Sequence, residues 1–266
     1  MKIITLATLK GGSGKTMQCF NIGGILAETH KVLLIDVDPQ CNLSSNCGID
    51  VSDRQALTIR DIFMNSPKNQ PKATDIIVKN PILELPNLDI IPSSIMLFQI
   101  EKQLVIAPDS DRILDKFIRN NIDVLEQYDY ILIDTNPSMS KFNVNAFFVA
   151  DSIIISSDVS SNSISGAELF CQLWDESRDS MDKEDNITAI IIGNYDKRTN
   201  LGKELIDYVH AASFSKNLIL DTIIPSTVKL KDTEISHKPV NILYPKDKIR
   251  DIYTQLVSEL KERGAL

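Results

Sequence analysis

Two lysines, Lys10 and Lys15, flank three glycines in the stretch LATLKGGSGKT, residues 6–16. A glycine-rich turn between a strand and a helix lets backbone amides converge on an anion, and the helix N-terminus adds partial positive charge. Gly11, Gly12, Ser13 and Gly14 therefore read as a nest for a chain of phosphates. Lys15 would reach the β- and γ-phosphates, and the Thr16 hydroxyl would ligate Mg²⁺. The common pattern G-x-x-x-x-G-K-[ST] fails because Leu9 stands at its first glycine; the pattern that fits is K-G-G-x-G-K-T.

Carboxylates follow two other apolar runs. Asp134, in ILIDTNP, is expected to end a buried strand beside the phosphates and to hold a Mg²⁺-bound water, since an aspartate buried without a cation is costly. In LLIDVDPQ, Asp36 and Asp38 are expected to point to opposite faces of a strand end, leaving one to face the ligand. Asp38, beside the Pro39 turn, is assigned to orient an attacking water, and Asp36 is read as structural.

The elements that must carry these residues show in the apolar, β-branched runs at 2–8, 31–37, 88–93, 130–135, 152–157, 188–194 and 218–225. Each reads as a strand buried on both faces, as in a parallel sheet. Helical patterns at 15–28, 110–127, 164–175, 202–212 and 248–263 lie between or after them. In the last, Ile249, Ile252, Tyr253, Leu256, Val257 and Leu260 form a stripe expected to dock on the sheet rather than on a membrane. The expectation is an α/β fold over residues 1–266: one domain with a doubly wound, mostly parallel sheet flanked by helices, and ligands at the carboxyl ends of the strands.

The 266-residue chain is 43% hydrophobic and 24% charged, as a soluble globular protein with a substantial core would be. Its start breaks into glycine too early for a signal peptide and no run reaches spanning length, so a cytoplasmic protein is expected. Cys19, Cys41, Cys47 and Cys171 include no C-x-x-C pair and read as reduced thiols. The net charge of -8 is uneven: residues 1–193 carry 16 basic and 26 acidic side chains, residues 194–266 carry 12 and 10. A local phosphate-binding patch on the C-terminal third is compatible with that distribution, because such binding depends on clustered cations.

Taken together, KGGSGKT at 10–16, IDVDPQ at 35–40, IPSS at 91–94, YDYILID at 128–134, YDKRTNL at 195–201, and PSTVKL followed by SHKPV within 225–240 resemble the ParA family of DNA-partition ATPases. The resemblance runs over essentially the whole chain. It implies a P-loop NTPase fold of the deviant Walker A group, ATP and Mg²⁺ as ligands, slow hydrolysis, an ATP-dependent sandwich homodimer, non-specific binding of double-stranded DNA and stimulation by a ParB-type centromere-binding protein. It also gives the second lysine a role, since Lys10 would reach the partner subunit's nucleotide. Asn194 and Pro225 fall where the family contacts adenine, and Met17 stands where a second threonine is common, near the α-phosphate. Lys203, Lys229, Lys231, Lys246, Lys248 and Arg250 fall where related proteins present a DNA-facing rim. Asn136 departs from the family's usual pair of prolines after the strand aspartate, and no helix-turn-helix extension is expected ahead of the first strand.

Other activities built on the same motifs fit less well. A membrane-cycling positioning ATPase of the MinD type needs a basic amphipathic tail, and QLVSELKERGAL mixes Lys261 and Arg263 with Glu259 and Glu262. An iron-protein reductase needs cysteines near the nucleotide switches, and neither IPSSIM nor DTNPSMS has one. A metabolic kinase usually lacks the Lys10 signature. A DNA-binding module that uses nucleotide only to lock a dimer would not need Asp38.

Overall fold

The computed structural model describes residues 1–53, 55–64, 68–107, 109–158, 160–195 and 217–266. Six of the expected runs become strands: β1 (Lys2–Ala7), β2 (Val32–Asp36), β4 (Leu88–Ile91), β5 (Tyr130–Asp134), β6 (Ser152–Asp158) and β7 (Ile187–Gly193). A two-residue strand, β3 (Val78–Lys79), adds an antiparallel edge beside β4 that is too short to leave a periodic signal. The sheet order is β3-β4-β2-β5-β1-β6-β7, and all pairs other than β3 with β4 are parallel.

Period-two alternation gives each strand two buried faces. Ile4, Leu6, Val32, Leu34, Leu132 and Ile154 pack under the helix Lys15–Leu26 (α1) and the last helix. Ile3, Leu33, Ile35, Ile131 and Ile133 line the opposite face, where Ile153, Ile155, Ile190 and Ile192 pack with Phe147, Phe170 and Trp174. Further helices are α2 (Asn42–Asn46), α3 (Ile59–Met64), α4 (Ala73–Ile76), α5 (Leu97–Ile106), α6 (Ile113–Asn120), α7 (Ile122–Leu125), α8 (Lys141–Val149), α9 (Ser161–Ser180), α10 (Val228–Ile235), α11 (Val240–Leu243) and α12 (Lys248–Glu262). The α12 stripe docks as expected, with Ile249, Tyr253, Leu256, Val257 and Leu260 all in the core beside α1.

Two expected elements differ. The helix expected at 110–127 is broken into a 3₁₀ turn, α6 and α7, because the Asn121 carboxamide bonds the backbone at Phe117 and Ala73 and the chain turns there. The run at 218–225 forms only isolated bridges, Ile190 to Ile219 and Tyr195 to Pro225. Between them the amides of Asp221 and Thr222 leave the sheet and donate to the Glu259 carboxylate of α12 at 2.6 and 2.9 Å. The helix expected at 202–212 lies outside the described residues. Cys19, Cys41 and Cys47 are buried and Cys171 is half-buried, all as free thiols; no described helix is long and apolar enough to cross a membrane.

The topology fixes where a ligand can sit. The connection from β1 runs to β2 on one side of the sheet, whereas that from the adjacent β5 crosses β1 to β6 on the other, so a crevice opens at the carboxyl ends of these two strands. Helix α1 rises directly from that crevice and is almost wholly buried. Its close seating depends on Gly24, where an added Cβ would lie 2.6 Å from Pro239 and 2.8 Å from the Asn241 side-chain oxygen. Gly24→Ala should therefore lower stability by about 1–3 kcal/mol despite alanine's better helix propensity, read as a lower urea midpoint at unchanged slope. An unchanged or higher midpoint would show that the α1 contact is not close-packed.

Candidate functional site

The loop after β1 is shaped by two left-handed residues, Gly12 at φ 83° and Gly14 at φ 82°, a conformation that favours glycine. Gly14 caps α1 without a side-chain bond, so the first amides of the helix are left for a ligand. Ser156 Oγ of β6 donates to the Ser13 carbonyl at 3.0 Å and ties the loop to the sheet.

At the head of the loop stands a buried charge cluster. Lys15 Nζ donates to Asp134 Oδ1, and Thr16 Oγ1 donates to Asp134 Oδ2 at 2.7 Å. Lys15 is 5% exposed and Asp134 0%. Lys10, on the outer side of the loop and about a third exposed, donates to Asp158 Oδ2 at 3.0 Å and Ser160 Oγ at 2.8 Å within its own chain.

The Asp36 and Asp38 carboxylates do point apart, but not for the reason expected. Residues two apart on a strand share a face; the carboxylates diverge because β2 ends at Asp36 and the chain turns through Pro39 and a left-handed Cys41. Asp36 Oδ2 accepts from Ser44 N at 2.9 Å and Ser44 Oγ at 2.7 Å, and Asp36 Oδ1 accepts from Asp38 N at 3.0 Å. Asp38 carries its carboxylate into a cavity, held by Gln40 N at 2.8 Å, while Ser93 Oγ donates to the Asp38 carbonyl at 2.7 Å. Burial first, then the nearby Asp134, pushes the Asp36 carboxyl well above the usual carboxylate range. Burial also raises Asp38.

Two adjoining cavities meet over the loop. One, of about 310 Å³, is lined by Lys10 through Met17 with Asp38, Gln40 and Pro137. The other, of about 360 Å³, is walled by Gly12 to Gly14, Met17, Gln18, Gly193, Asn194 and the segment from Ile224 to Thr227, with Tyr253 on α12. Asn194 adopts φ 53°, and beside it Tyr195 N donates to the Ile224 carbonyl at 3.1 Å while its own carbonyl accepts from Ser226 N at 2.8 Å, flanking the bridge to Pro225, so Asn194 and Pro225 line one cavity. Met17 joins both cavities, and its sulfur accepts from Asn21 Nδ2 at 3.0 Å and Thr233 Oγ1 at 3.2 Å. Asn136 leaves the loop after β5 held tightly, since Asn143 Nδ2 donates to its carbonyl at 2.8 Å and to its Oδ1 at 2.7 Å.

The cationic rim is less uniform than its sequence suggests. Lys229 pairs with Asp247, and Arg250 pairs with Glu28 at 3.2 Å. Lys231 lines the larger cavity, Lys246 and Lys248 are exposed, and Lys203 lies outside the described residues. Asp158, Ser44 and Ser93 escaped the sequence reading. Asp158 ends β6, where the carboxyl-end rule points, whereas serines in short polar turns give no distinguishing signal.

A glycine nest opening into a buried helix, with a strand-end aspartate bonded to the adjacent lysine and threonine, defines a P-loop nucleoside-triphosphatase fold. A family model described as an AAA domain (AAA_31) matches residues 1–188. The chain is 31% identical over 267 residues to the chromosome partitioning protein ParA of Caulobacter vibrioides, covering 99% of this chain and 95% of that one. It is 29% identical to the sporulation initiation inhibitor protein Soj of Bacillus subtilis, covering 99% of each. The chain belongs to the ParA/Soj family of chromosome-partitioning P-loop ATPases. In fold it is similar to apo McdA of Cyanothece, with a TM-score of 0.83 at 20% identity over 99% of each chain. It is similar also to a cobyrinic acid a,c-diamide synthase of Mycobacterium smegmatis solved with ADP and magnesium, with a TM-score of 0.79 at 20% identity over 99% of this chain and 95% of that one.

Because the folded chain holds the Asp36 proton more tightly than the unfolded chain does, stability contributed by this group falls as pH rises from the ordinary carboxylate range through the raised native value. Asp36→Asn removes that titration. It should flatten the pH dependence of Tm between pH 5 and pH 8, even if its lost acceptor lowers Tm throughout. Equal slopes for the variant and the parent would contradict a raised Asp36.

Proposed function

We propose that the chain is a partition ATPase whose ATP-bound homodimer holds double-stranded DNA through its phosphates and lets go after hydrolysis. The observation that carries this reading is the Lys15, Asp134 and Thr16 cluster at the head of the glycine loop, with a second lysine at the rim. Thr16 Oγ1 and Asp134 Oδ2 are hard oxygen donors 2.7 Å apart, the limited protein contribution that suits Mg²⁺ shared with phosphates. Bound there, Mg²⁺ would neutralise charge on the β- and γ-oxygens.

The chain's own residues divide the remaining tasks. The amides of residues 11–16 cradle phosphate oxygens, and Lys15 turns from Asp134 to the β- and γ-phosphates. Asp38 faces the same cavity and orients a water for attack, its carboxylate fixed by the Gln40 amide. Adenine and ribose occupy the larger cavity, against Asn194 and Pro225.

Lys10 leaves Asp158 and Ser160 to reach the phosphates bound by the partner subunit. The γ-phosphate supplies the negative charge that replaces Asp158, so ATP favours the dimer and its loss after hydrolysis releases it. In the dimer Lys231, Lys246 and Lys248 contribute to a phosphate-binding surface that reads no bases. A ParB-type centromere-binding protein accelerates a turnover that is slow in isolation, where the charge-stabilising shell is incomplete.

Three variants separate these roles. Lys15→Ala should abolish ATP binding by calorimetry, Lys10→Ala should bind ATP but remain monomeric in sedimentation velocity, and Asp38→Ala should accumulate as an ATP-bound dimer. Normal ATP-dependent dimerisation of Lys10→Ala would remove the trans role.

A further inference from the structure

Resting on the assignment of Asp38 to orient the attacking water, we propose that His237 is a positioning residue for hydrolysis, fixing α2 and through it the turn that carries Asp38. His237 follows the end of α10 with φ 52°, in the left-handed region where a helix commonly ends on glycine. A larger residue is held there at a cost in backbone energy, and the contact its side chain makes is what offsets that cost. His237 Nδ1 lies 2.7 Å from the Ser45 carbonyl of α2. A carbonyl oxygen only accepts, so Nδ1 carries the hydrogen and donates. The side chain also rests on the turn that closes α2, where a Cβ added at Gly48 would come 3.8 Å from His237 Cβ and Cγ.

Helix α2 needs such an outside hold. It has five residues, too short to be stable by itself, and its N-cap, Cys41, makes no side-chain capping bond. Its placement reaches Asp38 by two routes. Cys41 N donates to the Asp38 carbonyl at 2.9 Å. Ser44 Oγ accepts from Ser93 N at 2.8 Å, and Ser93 Oγ donates to the same Asp38 carbonyl at 2.7 Å. Asn42, at the start of α2, lines the phosphate-side cavity together with Asp38.

At the other end of the link, α10 walls the larger cavity through Leu230, Lys231 and Glu234. His237 therefore ties the wall of one cavity to the hydrolytic edge of the other while lining neither. Loss of its imidazole should act on the rate of hydrolysis and leave nucleotide affinity in place. Because His237 is exposed, removing the ring opens no cavity in the core.

The test is single-turnover ATP hydrolysis by the full chain, with ATP affinity read by calorimetry, in two variants that both tolerate a left-handed backbone. His237→Gly removes the imidazole, whereas His237→Asn keeps a short side chain with a nitrogen donor near the Nδ1 position. The first should slow hydrolysis about three- to tenfold, the value of roughly one hydrogen bond, with ATP affinity within about twofold of the parent. The second should restore most of the lost rate. An unchanged rate in His237→Gly, a His237→Asn variant as slow as His237→Gly, or a loss of ATP affinity that accounts for the slower turnover would overturn the proposal. A parent that binds ATP without hydrolysing it would overturn the hydrolytic reading itself, a result distinct from failure at His237 alone.

Discussion

A carboxylate buried at the centre of a sheet needs a cation, and Asp134 has Lys15. That pair sets the rest of the site. Asp134 ends β5, Lys15 begins α1, and the bond between them joins the strand to the glycine loop at a point where neither side chain is more than 5% exposed. Removing one member of such a buried pair typically costs about 3–5 kcal/mol, because the other is left charged and unsolvated. On the proposed reading, Lys15 can turn to phosphates only when another cation reaches Asp134, so phosphate and metal must enter together.

The sheet order gives this pair its position. The connection from β1 runs toward β2 and that from β5 toward β6, and the loop at the end of β1 is flanked by the ends of β5 and β6. The first supplies Asp134, the second Asp158 and the serine that ties down Ser13. Lys15 and Lys10 thus answer to carboxylates on opposite sides of one strand. Lys15 is enclosed while Lys10 is about a third exposed, which suits one lysine to its own ligand and the other to an exchange of partners.

What could be read from the sequence follows from what leaves a local signal. Six parallel strands were legible because burial on both faces demands continuous β-branched runs, and the α12 stripe because one face of a helix must be apolar. The run at 218–225 misled because its composition is that of a strand while Glu259, far along the chain, draws its amides out of the sheet. Short helices such as α2 and α11 are held by tertiary contacts and carry little periodicity. The glycine loop, Lys15, Thr16, Asp38 and Asp134 were legible from type and spacing. The Lys10 pair with Asp158 and the Ser44 and Ser93 bonds around the Asp38 turn were not, since each depends on a fold-dependent meeting of distant residues.

Whether a γ-phosphate converts the chain into a DNA-holding dimer can be measured as binding to non-specific duplex DNA with ATP and with ADP across a salt series, beside a liposome-sedimentation control. Binding is expected with ATP only, weakening steeply as salt rises because it rests on phosphate contacts. Binding indifferent to nucleotide, or ATP-dependent binding to liposomes in place of DNA, would contradict it.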